Sequence, residues 1–226
     1  MNCLIACEES QKITIQLRRL GHNAFSCDLQ ECSGGHPEWH IKGDCLPLLN
    51  GFCSFKTCDD LGHCIGSRWD LIIGHPPCTY LSFAGNKYLN VEKYGEKAKK
   101  RYQLREQAFE FAMMIWGADC EHLCIENPTG YINSAFRKAD QVINPYEFGD
   151  NDRKRTCLWF SGLPALVPDY VSPAPAPYEI TPGGYKKFFV DMQHDKHRGK
   201  ERSKTFDGIA RAMAYQYTCN FFYDMI

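Results

Sequence analysis

Several features that would assign a protein to a special class are missing from this sequence of 226 residues. No apolar run approaches the ~20 residues that a membrane-spanning helix needs. Neither sign of charge dominates, because 26 Lys and Arg residues accompany 27 Asp and Glu residues. A broadly basic nucleic-acid coat is therefore excluded, although local basic patches are not. The N-terminal residues turn acidic too early for a signal peptide. We therefore expect a cytoplasmic protein without membrane attachment.

Regular cysteine spacing is also missing, although the chain has 13 cysteines. An odd, irregularly spaced set without a signal peptide indicates a reducing compartment in which most thiols are small buried hydrophobes. Four potential metal ligands lie close together at Cys53, Cys58, His63 and Cys64. They lack paired C-x2-C knuckles, and the adjacent His63 and Cys64 would point to opposite faces of a strand. We therefore predict no metal, with a zinc module as the alternative.

Short apolar runs alternate with helical patterns along the first two thirds of the chain. This alternation predicts a doubly wound parallel α/β sheet with right-handed crossovers. Polar clusters follow the runs directly, at the sheet edge where ligands bind in such folds. The predicted strands are 2–6, 23–27, 40–42, 69–73 and 122–125. One predicted helix follows Ser10, and a second spans 98–116. The second helix would carry Tyr102, Phe109, Ala112 and Trp116 on one side.

Two segments depart from the alternation. Residues 51–67 have the pattern of a β-hairpin inserted before the fourth strand, with a turn near Asp59 and Asp60. Residues 164–182 are too rich in proline for regular structure. We predict a catalytic core of Rossmann-like type over 1–158, a proline-rich and basic excursion over 159–204, and a C-terminal helix within 205–226 that returns to the core.

Cys78 and Glu126 are the strongest candidates for chemistry. Cys78 follows an apolar strand in the segment Gly-His-Pro-Pro-Cys, where two prolines fix the backbone and would present the thiol rigidly. A thiol in that position can serve as a nucleophile. Glu126 ends the next predicted strand, where low polarity could keep its carboxyl group protonated for a hydrogen bond to a heterocycle nitrogen. The alternatives are a turn that contains one of many cysteines and an ordinary turn glutamate.

Further polar groups are weaker candidates. Arg153 and Arg155 would share one face of an extended segment and suit a carbonyl or a phosphate, unless they belong to a solvated turn. Asp28 and Asp44 follow early strands, where acidic residues commonly bind ribose hydroxyls. The dinucleotide fingerprint G-x-G-x-x-G is absent. Basic stretches that suggest a groove for a phosphate backbone lie at Lys97, Lys99, Lys100, Arg101 and Arg105, and at Lys186, Lys187, Lys196, His197, Arg198, Lys200, Arg202 and Lys204.

Taken in order, these motifs resemble the DNA cytosine-5 methyltransferases, in particular short members of phage or prophage type. The resemblance rests on Pro77-Cys78, Glu126-Asn127 and Asn151-x-Arg153-x-Arg155. It implies that a cytosine is flipped out of DNA into the site, that the Cys78 thiolate adds to carbon 6, and that protonated Glu126 binds ring N3. Carbon 5 then takes a methyl group from S-adenosylmethionine. Arg155 and Arg153 would bind the base carbonyl or a phosphate.

The same resemblance implies a set of cofactor contacts. Asp28 would bind the ribose of S-adenosylmethionine and Asp44 its adenine amino group, while the other contacts would come from Ala6, Cys7, Glu8, His75 and Pro76. The glycine-rich loop of the family is replaced by Ala-Cys-Glu-Glu-Ser after the first strand. Residues 81–100 would form a loop that closes over the base. The target-recognition region is nearly missing, so we expect short or relaxed DNA recognition, or a protein partner that supplies specificity.

Two other functions fit the same residues. The first is the same thiolate chemistry on a free nucleotide or on single-stranded nucleic acid. The second is a catalytically silent protein that binds nucleic acid and keeps only the fold.

Overall fold

We analysed a computed structural model of the chain, which describes residues 1–170, 173–184, 186–188 and 204–219. Within these residues the α-helices are α1 (Lys12–Arg19), α2 (Val91–Tyr94), α3 (Glu96–Trp116), α4 (Ile132–Ala135) and α5 (Asp207–Cys219). The strands are β1 (Asn2–Ala6), β2 (Asn23–Asp28), β3 (His40–Lys42), β4 (Cys53–Lys56), β5 (Gly62–Ile65), β6 (Leu71–Gly74), β7 (Leu123–Pro128), β8 (Gln141–Ile143), β9 (Thr156–Ser161), β10 (Glu179–Ile180) and β11 (Lys186–Lys187). Among these described residues, no helix has the length and apolar character that crossing a membrane requires.

Seven strands form one central sheet in the order β3-β2-β1-β6-β7-β9-β8. The pairs from β3 to β7 are parallel, whereas β9 runs antiparallel to both of its neighbours. This sheet confirms the predicted doubly wound, Rossmann-like fold class. The strand order reverses between β1 and β6, and open sheets of this kind bind ligands in the crevice beyond such a reversal.

Alternate residues of the central strands face two separate cores. Cys3 and Ile5 of β1 pack in one cluster with α1 and α5, whereas Leu4 and Ala6 pack in the other with α3. This is the two-residue period that a strand covered on both faces must show. Helix α5 packs against α1, and Lys12 forms an ion pair with Asp207 at 2.7 Å.

Helix α3 lies where the sequence predicts a long helix. Ala112 is buried, and Phe109 and Trp116 pack against the core, as expected for one face. Tyr102 lies on the same side of the helix as Phe109, but its ring is exposed at the surface. It lies two turns before Phe109, and the buried stripe formed by Phe109, Ala112 and Trp116 does not extend to it.

The inserted hairpin is confirmed as β4 and β5, which pair antiparallel. Its turn contains Asp60 in a left-handed conformation, with φ of 65°. Phe55 and His63 pack against Phe25, with ring centroids 5.0 and 4.8 Å from it. His63 Nε2 lies 3.0 Å from Thr57 Oγ1, so this imidazole takes part in packing and hydrogen bonding. Within the described ranges, no group of three or more side chains is arranged to hold a metal ion.

Candidate functional site

A cavity of about 420 Å³ opens beyond the carboxyl ends of β1, β2, β6 and β7. Its volume lies in the range typical of small-molecule pockets. The strand reversal between β1 and β6 lies at its centre, so the sheet topology itself creates the crevice. The lining residues are Cys7, Glu8, Glu9, Ser10, Asp28, Gln30, His75, Pro76, Pro77, Cys78, Thr79, Glu126, Asn127, Pro128, Lys154, Lys204 and Thr205.

Cys78 is held on a short, strongly fixed segment after β6. His75 N–H donates to Ala6 O at 2.9 Å, which extends the parallel pairing by one residue. The two prolines that follow restrict the backbone, and the Asn127 side-chain amide donates to Pro76 O at 2.7 Å. The amides of Leu81 and Ser82 then donate to Cys78 O and close a turn. The half-buried Cys78 side chain is thereby fixed at the wall of the cavity.

The segment after Cys78 is also bound to the loop after β7. Tyr131 N–H donates to Leu81 O at 2.6 Å, and Phe83 N–H donates to Thr129 O at 3.1 Å. This close approach needs Gly130, because a Cβ there would lie 1.9 Å from Leu81 O. The loops that carry Cys78 and Glu126 therefore form one unit rather than two independent turns.

Glu126 forms a buried pair with His75. Glu126 Oε2 lies 3.0 Å from His75 Nδ1, and the two side chains are only 13% and 9% exposed. Burial raises the pKa of Glu126, but the hydrogen bond from His75 and the positive charges of Lys154 and His75 outweigh it and hold this pKa below its usual value. The carboxyl group is therefore ionised. Since a carboxylate only accepts hydrogen bonds, His75 Nδ1 carries the proton.

The expectation that Glu126 is kept protonated is therefore wrong for this arrangement. That expectation rested only on the low polarity of the site, which favours the protonated carboxyl group. His75 favours the ionised carboxylate instead, and it follows the neighbouring strand, 51 positions earlier in the sequence. A proton can still be held between the two side chains, with the imidazole as its carrier.

Two buried polar atoms at the cavity wall have no hydrogen-bond partner within the described part of the chain. They are Nε2 of His75 and Oδ1 of Asn127. Burying such atoms without a partner costs about 1–3 kcal/mol each. A polar molecule in the cavity would remove this cost, so both atoms mark a place for a ligand.

The carboxyl group of Glu8 accepts hydrogen bonds from the first turn of α1. Its carboxyl oxygens accept from the Ile13 amide at 2.6 Å, from the Thr14 amide at 3.3 Å and from the Thr14 hydroxyl at 2.7 Å. Burial raises the pKa of Glu8, although the charge of His75 and these hydrogen bonds oppose the rise. A helix N-terminus in this position commonly binds phosphate, and here a side chain of the protein fills it.

Cys7 occupies the turn between β1 and α1 in a left-handed conformation, with φ of 61°. Its amide donates to Cys27 O at 2.7 Å. A hydrogen bond with Cys45, together with burial, raises the pKa of Cys7 well above its usual value. Cys7 therefore presents a neutral thiol to the cavity.

The remaining predicted site residues divide into two groups. Asp28 and Pro76 line the cavity with Cys7, Glu8 and His75. Ala6 and Asp44 are not part of the cavity lining: Ala6 is fully buried, and exposed Asp44 accepts from the Leu46 amide at 3.0 Å.

Arg153 and Arg155 share a face as expected, but neither is among the residues that line the cavity. Both side chains are exposed, whereas Asp152 and Thr156 are buried and Lys154 lines the cavity. The alternation itself is as predicted, and the role of the two arginines toward a carbonyl or a phosphate stays a prediction. The buried Thr156 at the start of β9 was the signal that could have identified Lys154 as the inward cation.

The basic stretches lie in different places. Lys97, Lys99 and Lys100 are exposed on the first turns of α3. Lys204 lines the cavity. Lys196, His197, Arg198, Lys200 and Arg202 lie outside the described residues, and β11 is described by its backbone alone.

No protein-family model matches this chain, and no curated protein matches it. Among solved structures, it is similar to one described as a DNA modification methyltransferase encoded within a prophage, from E. coli. The two sequences are 15% identical, the alignment covers 76% of this chain and 52% of the other, and the TM-score is 0.46. The chain thus spans about half the length of that protein. A likeness of this size identifies no activity.

Proposed function

We propose that this protein transfers a methyl group from S-adenosylmethionine to carbon 5 of cytosine in DNA, through a covalent bond between Cys78 and the base. The observation that carries the proposal is the convergence of Cys78, Glu126 and Asp28 on one cavity from three different strand ends. A nucleophilic thiol and a carboxyl group on adjacent strands are the two groups that this chemistry requires.

The cavity suits a cofactor of this type. Asp28 lies at the end of β2, where a carboxylate can bind ribose hydroxyls. At the start of α1 the amides of Ile13 and Thr14 donate to Glu8, so the place where a pyrophosphate would bind is filled by a carboxyl group, which favours a cofactor without phosphate. The acidic side chains of the lining, Glu8, Glu9 and Asp28, suit a ligand that carries positive charge. When bound, S-adenosylmethionine would supply an electrophilic methyl group.

Cys78 opens the reaction by adding its sulfur to carbon 6 of the cytosine. The electron pair of the C5–C6 double bond then makes carbon 5 nucleophilic, and carbon 5 takes the methyl group. A base of the site removes the proton from carbon 5, and the bond between Cys78 and carbon 6 breaks to restore the ring. The rigid turn after Pro77 fixes the thiol for both steps.

The His75–Glu126 pair stabilises the charge that develops on the ring. Ionised Glu126 holds the imidazole through Nδ1, and Nε2 is left for the substrate. In place of the protonated Glu126 that the resemblance implies, His75 would be the proton donor: with a proton on each ring nitrogen, it would donate from Nε2 toward ring N3 while Nδ1 still donates to Glu126. Lys154 adds a positive charge beside the pair.

The setting and the substrate are also part of this proposal. Among the described residues, which include all 13 cysteines, no disulfide is present, in keeping with a cytoplasmic location. DNA is the proposed substrate. A protein partner would supply sequence specificity, since residues 159–204 are a small region for target recognition. Residues 1–158 would form the catalytic core, and α5, within the predicted C-terminal segment 205–226, packs against it through α1. Residues 220–226 of that segment lie outside the described residues.

Transfer of labelled methyl groups to DNA tests the proposal. Wild-type protein, Cys78→Ala and Glu126→Gln would be incubated with labelled S-adenosylmethionine and DNA, and the nucleosides separated. The exposed hairpin cysteine provides a matched control, Cys64→Ala. We expect label in 5-methylcytosine for the wild type and the control, none for Cys78→Ala, and a large loss for Glu126→Gln. Label in another nucleoside, or full activity of Cys78→Ala, would contradict the proposed mechanism.

A further inference from the structure

A set of rings and guanidinium groups lies beside the cavity, on the segment after Cys78, on α3 and in the loop after β7. We call it the tyrosine–arginine face. Three of its rings are widely exposed: Phe83 at 60%, Tyr88 at 44% and Tyr102 at 40%. Exposed aromatic side chains of this size need an explanation when they occur together. The face consists of Tyr80, Tyr88, Tyr94, Arg101, Tyr102, Arg105 and Tyr131, joined by ring and guanidinium contacts. We include Phe83 because it lies on the same segment as Tyr80 and Tyr88 and its amide donates to Thr129 O, two residues before Tyr131.

Arg101 holds the first half of this face in place. Its guanidinium carbon lies 5.0 Å from the centre of the Tyr80 ring and 5.3 Å from that of Tyr88. The same guanidinium donates to Thr79 O at 2.8 Å, one residue from Cys78. Tyr94 extends the row, with its ring centre 5.8 Å from that of Tyr88. Contacts of this kind fix the rings before any ligand binds.

Arg105, one turn further along α3, repeats the arrangement. Its guanidinium carbon lies 4.8 Å from the centre of the Tyr102 ring and 4.1 Å from that of Tyr131. Its Nε is buried and has no hydrogen-bond partner within the described residues. Tyr131 is held from the other side, because its hydroxyl donates to Glu106 at 2.8 Å.

The charge of this segment differs from that of the whole chain. Residues 79–105 contain seven Lys and Arg residues and two Glu residues, whereas the whole chain has a net charge of −1. Lys87, Lys93, Lys97, Lys99 and Lys100 are all exposed. The segment therefore combines exposed aromatic rings with a local excess of positive charge, which together suit a polyanion that carries flat rings.

We propose that the tyrosine–arginine face binds single-stranded DNA, with unpaired bases stacked on Phe83, Tyr88 and Tyr102 and the phosphates near the surrounding lysines. Unpaired bases are favoured over a duplex because base pairs already stack on each other and offer no face to these rings. The inference rests on the proposed function for the identity of the polymer, and it names single strands as the substrate form. The face would hold the nucleotides that flank the target base.

Binding can be measured without catalysis. We would measure the anisotropy of a fluorescent 20-nucleotide DNA strand, the same sequence as a duplex, and the same sequence as RNA, for wild type, Phe83→Ala, Tyr88→Ala and Tyr88→Phe. The matched control is Tyr215→Ala, which removes a 57% exposed tyrosine from α5 on the opposite side of the sheet. Thermal unfolding of each variant would show that it is folded.

We expect Phe83→Ala and Tyr88→Ala to weaken single-strand binding roughly tenfold each, as loss of one stacking partner predicts. Tyr88→Phe and Tyr215→Ala should bind within twofold of wild type. Folded alanine variants that bind as tightly as wild type would overturn the proposal, as would tighter binding of the duplex or of RNA. Because these affinities are independent of methyl transfer, an inactive protein that binds single strands through this face would refute only the proposed reaction.

Discussion

Removing His75 should destabilise the protein mainly because Glu126 then remains charged and buried. His75→Ala deletes the group that donates to Glu126 at 3.0 Å. Breaking a buried pair by removing one partner costs about 3–5 kcal/mol, whereas removing both charges costs much less. We therefore expect about 3 kcal/mol for His75→Ala, but only about 1 kcal/mol for Glu126→Gln, because a glutamine oxygen can still accept from His75 Nδ1 and no carboxylate is left buried. The coupling between the two substitutions should be about 2 kcal/mol in the double variant.

The same substitution should change the pH dependence of stability. In the wild type the pKa of Glu126 is lower in the folded than in the unfolded protein. Ionised Glu126 therefore adds to the free energy of unfolding above the ordinary carboxyl pKa, and this stabilisation is lost as the pH falls through the pKa of the folded protein. In His75→Ala, burial dominates and raises that pKa, so the contribution of Glu126 is lost as the pH rises above about 4.5. The cost of the substitution should therefore grow between pH 4.5 and pH 7.5.

Urea unfolding followed by circular dichroism measures both effects. The midpoint and slope would be determined at pH 5 and pH 7.5 for the wild type, both single variants and the double variant. The charge of His75 also acts on Glu8. The effect of His75→Ala measured in the Glu126→Gln background gives the part of the pH dependence that comes from Glu8. A coupling below about 0.5 kcal/mol at pH 7.5, or an equal cost of His75→Ala at both pH values, would refute the assignment of an ionised buried pair.

Three further outcomes follow from packing and burial. Burial raises the pKa of Cys3 and of Cys124 to about 12, so between their usual pKa of 9.0 and pH 10 each thiol ionises only in the unfolded chain. Each should therefore lower the free energy of unfolding by about 1.4 kcal/mol by pH 10. In urea unfolding, the free energy of Cys124→Val should fall by about 1.4 kcal/mol less than that of the wild type between pH 8 and pH 10. Gly130→Ala should displace the segment that carries Cys78, because the added carbon would meet Leu81 O, and the rate of methyl transfer should fall at least tenfold. The control Gly62→Ala, at a position with open space around it, should leave that rate unchanged. Glu8→Ala removes the acceptors at the start of α1 and should lower the melting temperature by about 5 °C, and an unchanged value would contradict the capping role.

The sheet was predictable because each central strand is a short apolar run that ends on polar residues. The segments before Glu8, Asp28, Cys78 and Glu126 all have this form, and parallel strands bring their carboxyl ends to one edge. The hairpin was predictable for a similar local reason, since alternating residues flank the turn near Asp60. Both predictions depend only on neighbours in the sequence.

The parts that were not predictable depend on contacts between distant residues. The ionisation of Glu126 is set by His75 and Lys154, which come from different segments of the chain. The role of Glu8 depends on how the turn after β1 brings its carboxyl group back to α1. The inward position of Lys154 depends on the phase in which the chain enters β9, and a one-residue shift exchanges the two faces.

The covalent bond between Cys78 and the cytosine ring is the central claim, and a blocked substrate tests it most directly. Single-stranded DNA with 5-fluorocytosine, incubated with the protein and S-adenosylmethionine, cannot lose a proton from carbon 5, so the adduct should persist. We expect a species with the summed mass of protein, DNA strand and methyl group, mapped by peptide analysis to Cys78 and absent in Cys78→Ala. A methylated strand without any bond to the protein, or an adduct at another cysteine, would contradict the account.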